Sequence, residues 1–204
     1  MQFDSIISRQ IVAGPPSEVF AVPAPSTPNL DPPFAVRPVE PAGDDAALVT
    51  EWMSLPHMVE TWERSDWSVE RWRGNLAAQC AGRYSRPCIV EFRDRPIGYL
   101  EIYRPAQDCI ATVFDAHPDD LGLHAAITDQ RFVRRGFGPR MLPRITARLF
   151  ASDPRCERVI FDPDHRNTDV HRLCEYVGCE FLGEHELADR RIRLYAMPRS
   201  SAMS

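Results

Sequence analysis

A glycine turn surrounded by arginines is the first feature of this sequence that could do chemistry. Gly136 and Gly138 lie one residue apart, and a helix is predicted from Pro139. Such glycines let the backbone turn sharply, and the first turn of the helix offers free N–H groups and a positive dipole end to an anion. Three arginines flank the turn: Arg134, Arg135 and Arg140. The pattern predicts a pyrophosphate-binding turn, although a strand-to-helix turn without a ligand would use the same residues.

Two titratable side chains lie in or directly after predicted strands near the middle of the sheet. Asp162 follows the apolar strand 158–161, where burial can raise the pKa of a carboxyl group towards that of a general base. The alternative is that Asp162, Asp164 and Asn167 cap the helix that begins near Thr168. We favour Asp164 or Asn167 as the cap and Asp162 as the base. His124 lies inside the apolar strand 121–127, where a hydrogen-bonded core histidine is the simpler interpretation.

Four tryptophans fall within 21 residues, at positions 52, 62, 67 and 72. Aromatic side chains bury large areas, so a role in the core explains all four. A second interpretation is that Trp62, together with Tyr103, lines a pocket for an acyl chain or for the aliphatic part of a substrate.

The predicted elements place these residues in one mixed α/β sheet. A Pro-rich arm, 1–33, is predicted to be extended and to lie on the domain or on a partner, because its prolines are poorly suited to helices and sheet interiors. The folded domain is predicted to span 34–198, and the tail 199–204 to be disordered. Within the domain we predict strands at 34–39, 88–92, 97–103, 121–127, 158–161, 179–182 and 191–196. Helices are predicted at 44–52, 56–64, 71–82, 139–150 and 168–177, with Ser68 as the N-cap of the third.

Composition excludes several classes of protein. The 204 residues are 44% hydrophobic and 26% charged, with a net charge of −5, which is ordinary for a globular domain and argues against a nucleic-acid partner. No long apolar run or secretory signal is recognisable, so we expect a cytoplasmic monomer without membrane insertion. The spacing of the six cysteines includes no C-x-x-C pair; they are Cys80, Cys88, Cys109, Cys156, Cys174 and Cys179. They are predicted to be reduced, and no metal site is expected.

Several ordered motifs carry a resemblance to a known family. Gly136 and Gly138 are similar to the acyl-CoA pyrophosphate loop of the GCN5-related N-acetyltransferases, with Val133 at a position where that loop usually has Gln or Arg. The wider motifs are Glu51–Met53 with His57–Glu63, Gly98–Tyr103, Asp120–His124, Phe161–Asn167 and Gly178–Gly183. These resemble the siderophore-biosynthesis branch of the family, which includes lysine N-acyltransferases of mycobactin assembly.

The resemblance implies a fold and an activity. The fold is a mixed, mostly antiparallel sheet flanked by helices, with strands 121–127 and 158–161 splayed apart to admit the pantetheine arm. The activity is transfer of a medium or long acyl chain, from an acyl carrier protein or coenzyme A thioester, to N6 of a lysine or N6-hydroxylysine siderophore precursor. The resemblance also implies a role for His124 in the acceptor pocket and for Asn167 in the donor site. An acetyltransferase for another small amine and a non-catalytic acyl-thioester sensor are the alternatives.

The implied reaction needs a proton acceptor. A lysine amine has a pKa of about 10.4, so removing its proton at pH 7 costs about 4.6 kcal/mol. We therefore predict that Asp162 takes this proton, that His124 orients the nitrogen or assists the transfer, and that backbone N–H groups of the splayed strand stabilise the charge on the thioester oxygen.

Overall fold

The computed structural model describes residues 7, 9–11, 14–60, 62, 65–129, 131–132 and 136–202. The strands are β1 (Phe34–Pro38), β2 (Ser85–Phe92), β3 (Arg95–Tyr103), β4 (Leu121–Ile127), β5 (Arg158–Phe161), β6 (Glu180–Glu186) and β7 (Arg191–Pro198). The α-helices are α1 (Ser17–Ala21), α2 (Asp45–Met53), α3 (Pro56–Val59), α4 (Val69–Ala81), α5 (Phe137–Ser152), α6 (Thr168–Tyr176) and α7 (Arg199–Ala202), with short 3₁₀ turns at Pro105–Gln107 and Cys109–Thr112. Within these ranges, no helix is long and apolar enough to cross a bilayer.

The strands form a seven-stranded sheet in the order β1-β2-β3-β4-β5-β7-β6. Neighbouring strands are antiparallel except β4 and β5, which run parallel and pair only at Leu121 with Val159 and Gly122 with Ile160. Beyond these two pairs β4 and β5 diverge. The predicted mixed, mostly antiparallel and splayed sheet is therefore confirmed.

Side chains of the central strands point alternately to the two faces of the sheet, and the core therefore has a layer on each face. Leu100 and Ile102 of β3 pack in the cluster that contains α5, whereas Tyr99 packs in the cluster that contains α2 and α4. Successive side chains of a strand point to opposite faces, so each central strand contributes to both layers. The polar side chains on the α2 and α4 face are thereby placed beside one another.

Local sequence explains several element boundaries. The β2–β3 hairpin turns at Arg93 and Asp94, which both have positive φ, as a two-residue hairpin loop requires. Ser68 caps α4 by accepting the backbone N–H of Arg71, as predicted. Helix α5 begins two residues before the predicted Pro139, and α3 ends at Val59 instead of reaching residue 64.

The arm packs on the domain, and the prediction that it contains no helix is wrong. Helix α1 lies between prolines, where Pro16 directly precedes the first turn and costs no hydrogen bond. Val19, Val22 and Leu30 are buried. A division of the chain at residues 33 and 34 stays a prediction.

The predicted disorder of the tail is also corrected for its described part. Residues 199–202 form α7, and the Arg199 guanidinium donates hydrogen bonds to the carbonyls of Phe150, Asp153 and Cys156. This guanidinium satisfies carbonyl groups around the end of α5, which explains why the chain stays ordered here. Residues 203–204 lie outside the described residues.

Candidate active site

Three polar side chains form a row across β3, β4 and the end of β5. Glu101 lies directly opposite His124, and Asp162 lies two residues after Ile160, the partner of Gly122. Because residues two apart on a strand share a face, all three point to the α2 and α4 side. Nε2 of His124 lies 2.9 Å from Oδ1 of Asp162.

Tyr103 fixes the position of Asp162 through a hydrogen bond. Its hydroxyl donates to Oδ1 of Asp162 at 2.6 Å, and its ring stacks on the ring of His124 with centroids 4.5 Å apart. Tyr103 lies opposite Gly122, and a Cβ at Gly122 would be only 2.2 Å from the tyrosine ring. The glycine is therefore what allows the tyrosine to reach the aspartate.

Two arginines from distant segments pair with the other carboxylate oxygen. Oδ2 of Asp162 accepts hydrogen bonds from Arg9 at 2.6 Å and from Arg190 at 2.7 Å. Arg9 belongs to the arm and also pairs with Asp108 at 3.2 Å. Asp108 in turn accepts a hydrogen bond from the hydroxyl group of Tyr84. The site is thus a buried network of alternating charges, in which each carboxylate needs its partners.

The arm reaches the site by pairing with the segment after β3. Residues Gln10 and Asp108 form an antiparallel bridge, and the carbonyl of Arg9 accepts the backbone N–H of Cys109 at 3.0 Å. Ile7 is buried. These contacts hold the Arg9 side chain at 7% exposure beside the two aspartates.

The expectation that the pKa of Asp162 is raised is wrong. Burial alone would raise the pKa, but the positive charges of Arg9 and Arg190 and the interaction with the His124 ring outweigh it, and the pKa lies well below its usual value. Asp162 is an ionised carboxylate across the neutral pH range. Burial and the nearby Asp162 carboxylate raise the pKa of Tyr103 well above its usual value, so its hydroxyl remains a donor.

The imidazole of His124 has two possible hydrogen-bond arrangements. Nε2 lies 2.7 Å from Nη1 of Arg9 and 2.9 Å from Oδ1 of Asp162. One ring nitrogen either donates to the carboxylate or accepts from the guanidinium. When Nε2 donates to Asp162, the neutral ring keeps a lone pair on Nδ1 for a substrate proton.

A cavity of about 1060 Å³ passes through the gap between β4 and β5. On one side it is lined by the polar row and by Arg9, Arg190 and Trp62. On the other side it is lined by apolar residues of β4, β5, α5 and α6: Leu123, Phe161, Phe137, Met141, Leu142, Ile145, Val170 and Leu173. The cavity therefore joins a charged compartment to an apolar one across the sheet.

The glycine turn lies at the rim of the apolar side. Gly136 has φ of +71°, a left-handed conformation that favours glycine, and α5 begins at the next residue. Gly138 lines the cavity. A Cβ there would lie 3.0 Å from the Leu173 side chain, so glycine permits close packing of α5 on α6. Val133, Arg134 and Arg135 lie outside the described residues.

Comparisons with known proteins identify the family of this arrangement. A family profile described as an acetyltransferase (GNAT) domain matches residues 42–187. The chain belongs to this family. It is 55% identical to "Lysine N-acyltransferase MbtK" of Mycobacterium sp. (strain MCS), over 91% of this chain and 75% of the relative. It is 30% identical to "N(6)-hydroxylysine O-acetyltransferase" of Escherichia coli, over 76% of this chain and 49% of that protein.

Solved structures agree on the GNAT fold. The aminoglycoside acetyltransferase AAC(6')-Ib, solved with coenzyme A, superimposes with a TM-score of 0.68 over 82% of this chain and 96% of that chain, at 21% identity. At this identity the likeness concerns the fold alone.

The GNAT site brings some of the predicted residues together and separates others. His124 and Asp162 are paired, and Trp62 lies edge-on to His124 with centroids 6.0 Å apart. Tyr103 was expected to line the substrate pocket, but it is fully buried and absent from the cavity lining, because it supports Asp162. Arg140 is exposed and does not line the cavity.

The helix-capping alternative is resolved in favour of Asn167. Its Oδ1 accepts the backbone N–H of Val170 at 3.3 Å and caps α6, and Asn167 also lines the cavity. Its predicted role in donor binding stays a proposal.

Three residues of the site were not predicted from the sequence: Arg9, Arg190 and Glu101. The apolar residues Ile7 and Ile11 around Arg9 were the one signal that this segment is anchored to the domain.

Proposed function

We propose that this GNAT protein transfers an acyl group from a thioester to the N6 nitrogen of a lysine or N6-hydroxylysine precursor in siderophore biosynthesis, as in mycobactin assembly. The observation that carries the proposal is the His124–Asp162 pair at the gap between β4 and β5. The 55% identity to a lysine N-acyltransferase over 91% of the chain supports the acceptor class.

The divergence of β4 and β5 suits the donor. Among the described residues, no strand pairs with β4 past Gly122 on the β5 side. The β4 N–H groups there are available to the pantetheine arm of the donor and to the thioester oxygen, which gains negative charge during attack. The thioester carbon would then lie in the gap, beside His124 and Asp162.

The low pKa of Asp162 changes the roles that we propose for the pair. A carboxylate whose pKa lies well below its usual value is a poor acceptor for an amine proton. The His124 ring is better placed to accept it, because Nδ1 keeps a lone pair when Nε2 donates to Asp162. We assign proton transfer to His124, with Asp162 stabilising the imidazolium that forms. The imidazolium releases this first proton to solvent, and the neutral amine nitrogen bonds to the thioester carbon. The C–S bond then breaks, and the second proton that the nitrogen loses on becoming an amide passes through the imidazole to the leaving thiolate.

The donor is proposed to be a medium- or long-chain acyl group on an acyl carrier protein or on coenzyme A. The apolar side of the cavity, with Met141, Leu142 and Ile145 of α5, supports an acyl chain longer than acetyl. The exposed Arg140, with Arg134 and Arg135, would attract an acidic carrier protein or the coenzyme A phosphates. The six cysteines are all free, which fits a reducing compartment such as the cytoplasm.

A thiol-release assay tests the proposal. The whole protein is given acetyl and long-chain thioesters, on coenzyme A and on a carrier protein. The acceptors are lysine, N6-hydroxylysine and ornithine derivatives and an aminoglycoside. We expect turnover with the lysine-type acceptors and higher kcat/KM for the longer donors. Donor binding without turnover for any acceptor would support a thioester sensor, and a preference for an aminoglycoside amine would contradict the acceptor class.

A further inference from the structure

We propose that Glu101 binds the ammonium group of the acceptor and selects a cationic amine over a neutral hydroxylamine. The inference rests on the proposed function and deepens it, because it assigns the residue that determines which N6 nitrogen is preferred.

Glu101 is placed where the acceptor nitrogen must arrive. It lies opposite His124 in the pairing of β3 with β4, and it lines the same cavity as His124 and Trp62. Neighbouring strands are about 4.8 Å apart, so a nitrogen held by Glu101 is within reach of the imidazole. The residue is only 3% exposed, and the cavity is therefore its route to a ligand.

The hydrogen bonds that Glu101 makes leave capacity for a ligand. Oε1 accepts a hydrogen bond from Nε2 of Gln79 at 2.9 Å. Oε2 accepts a hydrogen bond from the hydroxyl group of Tyr99 at 3.4 Å, and this distance is long for a hydroxyl donor. A carboxylate accepts about four hydrogen bonds. Oε2 can therefore accept a stronger donor.

The charges around the row leave one position for a cation. Asp162 has Arg9 and Arg190 as ion-pair partners, and Asp108 shares Arg9. Within the described part of the chain, no arginine or histidine forms an ion pair with Glu101. A buried carboxylate without a counter-charge is unfavourable, and an incoming ammonium group removes that cost.

Aromatic rings beside Glu101 fit the same ligand. Trp62 contacts both Tyr99 and His124 edge-on, with centroids 5.9 and 6.0 Å away. These are the side chains next to Glu101 along β3 and across from it on β4. Aromatic faces attract ammonium groups, and the methylene chain of lysine packs well on an indole. The ammonium form is thus held beside His124 until its proton is transferred.

The test compares Glu101→Gln with the unchanged protein on two acceptors, Nα-acetyl-lysine and Nα-acetyl-N6-hydroxylysine, at a saturating donor concentration. Both acceptors lack a free α-ammonium group, so they differ only at the N6 nitrogen. We expect KM for the lysine acceptor to rise by about tenfold or more, because a charged hydrogen-bond partner is lost. KM for the hydroxylysine acceptor should change less than about threefold, and kcat for both should stay within the same range.

Glu101→Asp is the matched variant, because it keeps the negative charge on a side chain that is one methylene shorter, so the carboxylate lies further from the acceptor nitrogen. This variant should raise KM for the lysine acceptor more than KM for the hydroxylysine acceptor, although by less than the glutamine variant does. This difference between the two acceptors decides the question alone if Glu101→Gln does not fold. Equal changes in KM for both acceptors, or a loss of kcat with no change in KM, would overturn the inference. Failure of the unchanged protein to acylate any lysine-type acceptor would instead refute the proposed function.

Discussion

Replacement of Asp162 by asparagine is the sharpest test of the charged network. The substitution keeps the shape of the side chain but removes the negative charge that Arg9 and Arg190 share. Removing one partner of a buried ion pair costs about 3–5 kcal/mol, since it leaves an uncompensated charge. Small domains have unfolding free energies of only about 5–15 kcal/mol, so urea denaturation at pH 7 should show a large loss.

The pH dependence of this loss follows from the lowered pKa of Asp162. A carboxylate with a depressed folded-state pKa contributes stability above its unfolded pKa, about 3.9, and loses it as the pH falls through the folded value. The stability difference between Asp162→Asn and the unchanged protein should therefore be full at pH 7 and shrink below about pH 4. Asp129→Asn, which breaks the surface pair with Arg131, should cost less than about 1 kcal/mol.

Turnover supplies the second measurement on this variant. With a lysine acceptor, we expect a fall of about 10² or more, the usual contribution of positioned acid–base groups. With N6-hydroxylysine the fall should be smaller, because a hydroxylamine nitrogen needs little help in losing a proton. A variant with unchanged urea stability, and with near-normal turnover on lysine, would refute the role assigned to the network.

Three further substitutions test separate parts of the site. His124→Ala should lower kcat with lysine by about 10²–10⁴, measured by thiol release at a saturating donor concentration. Gly122→Ala should displace the Tyr103 ring and cost about 1–3 kcal/mol, measured by denaturation, whereas Gly74→Ala, in open space on α4, should be neutral or stabilising. Arg9→Met should move the acid-unfolding midpoint to higher pH, because Asp162 loses a counter-charge that lowers its pKa; an unmoved midpoint would exclude the arm from the network.

The central strands could be predicted because their patterns are local. The runs 121–127 and 158–161 are apolar and bounded by polar residues, and the structure reproduces both ranges. The positions of His124 and Asp162 then follow from alternation along adjacent strands. Helix α1 was missed because proline content describes a whole segment, whereas only the five residues of Ser17–Ala21 needed to be free of proline.

Other features of the site could not be read from local patterns. Glu101 is a single acidic residue in an apolar strand, with no repeating pattern to reveal its role. The sign of the pKa shift of Asp162 depends on Arg9, His124 and Arg190, which come from three separate segments. Sequence reasoning anticipated the burial of this carboxylate but not the charges that outweigh burial.

The contact between Arg9 and Asp162 also has a consequence for the order of folding. The two residues are 153 positions apart in the chain, and contacts of large sequence separation form late because closing a long loop costs entropy. During synthesis Arg9 leaves the ribosome long before Asp162, which directly follows β5, so its partner emerges after β1 to β4 have been made. A folding intermediate with a paired sheet and an undocked arm would hold two buried carboxylates with fewer counter-charges. Backbone amides at residues 9–11 and 107–109 should then gain hydrogen-exchange protection after those of β2 and β3, and so report the final step of assembly.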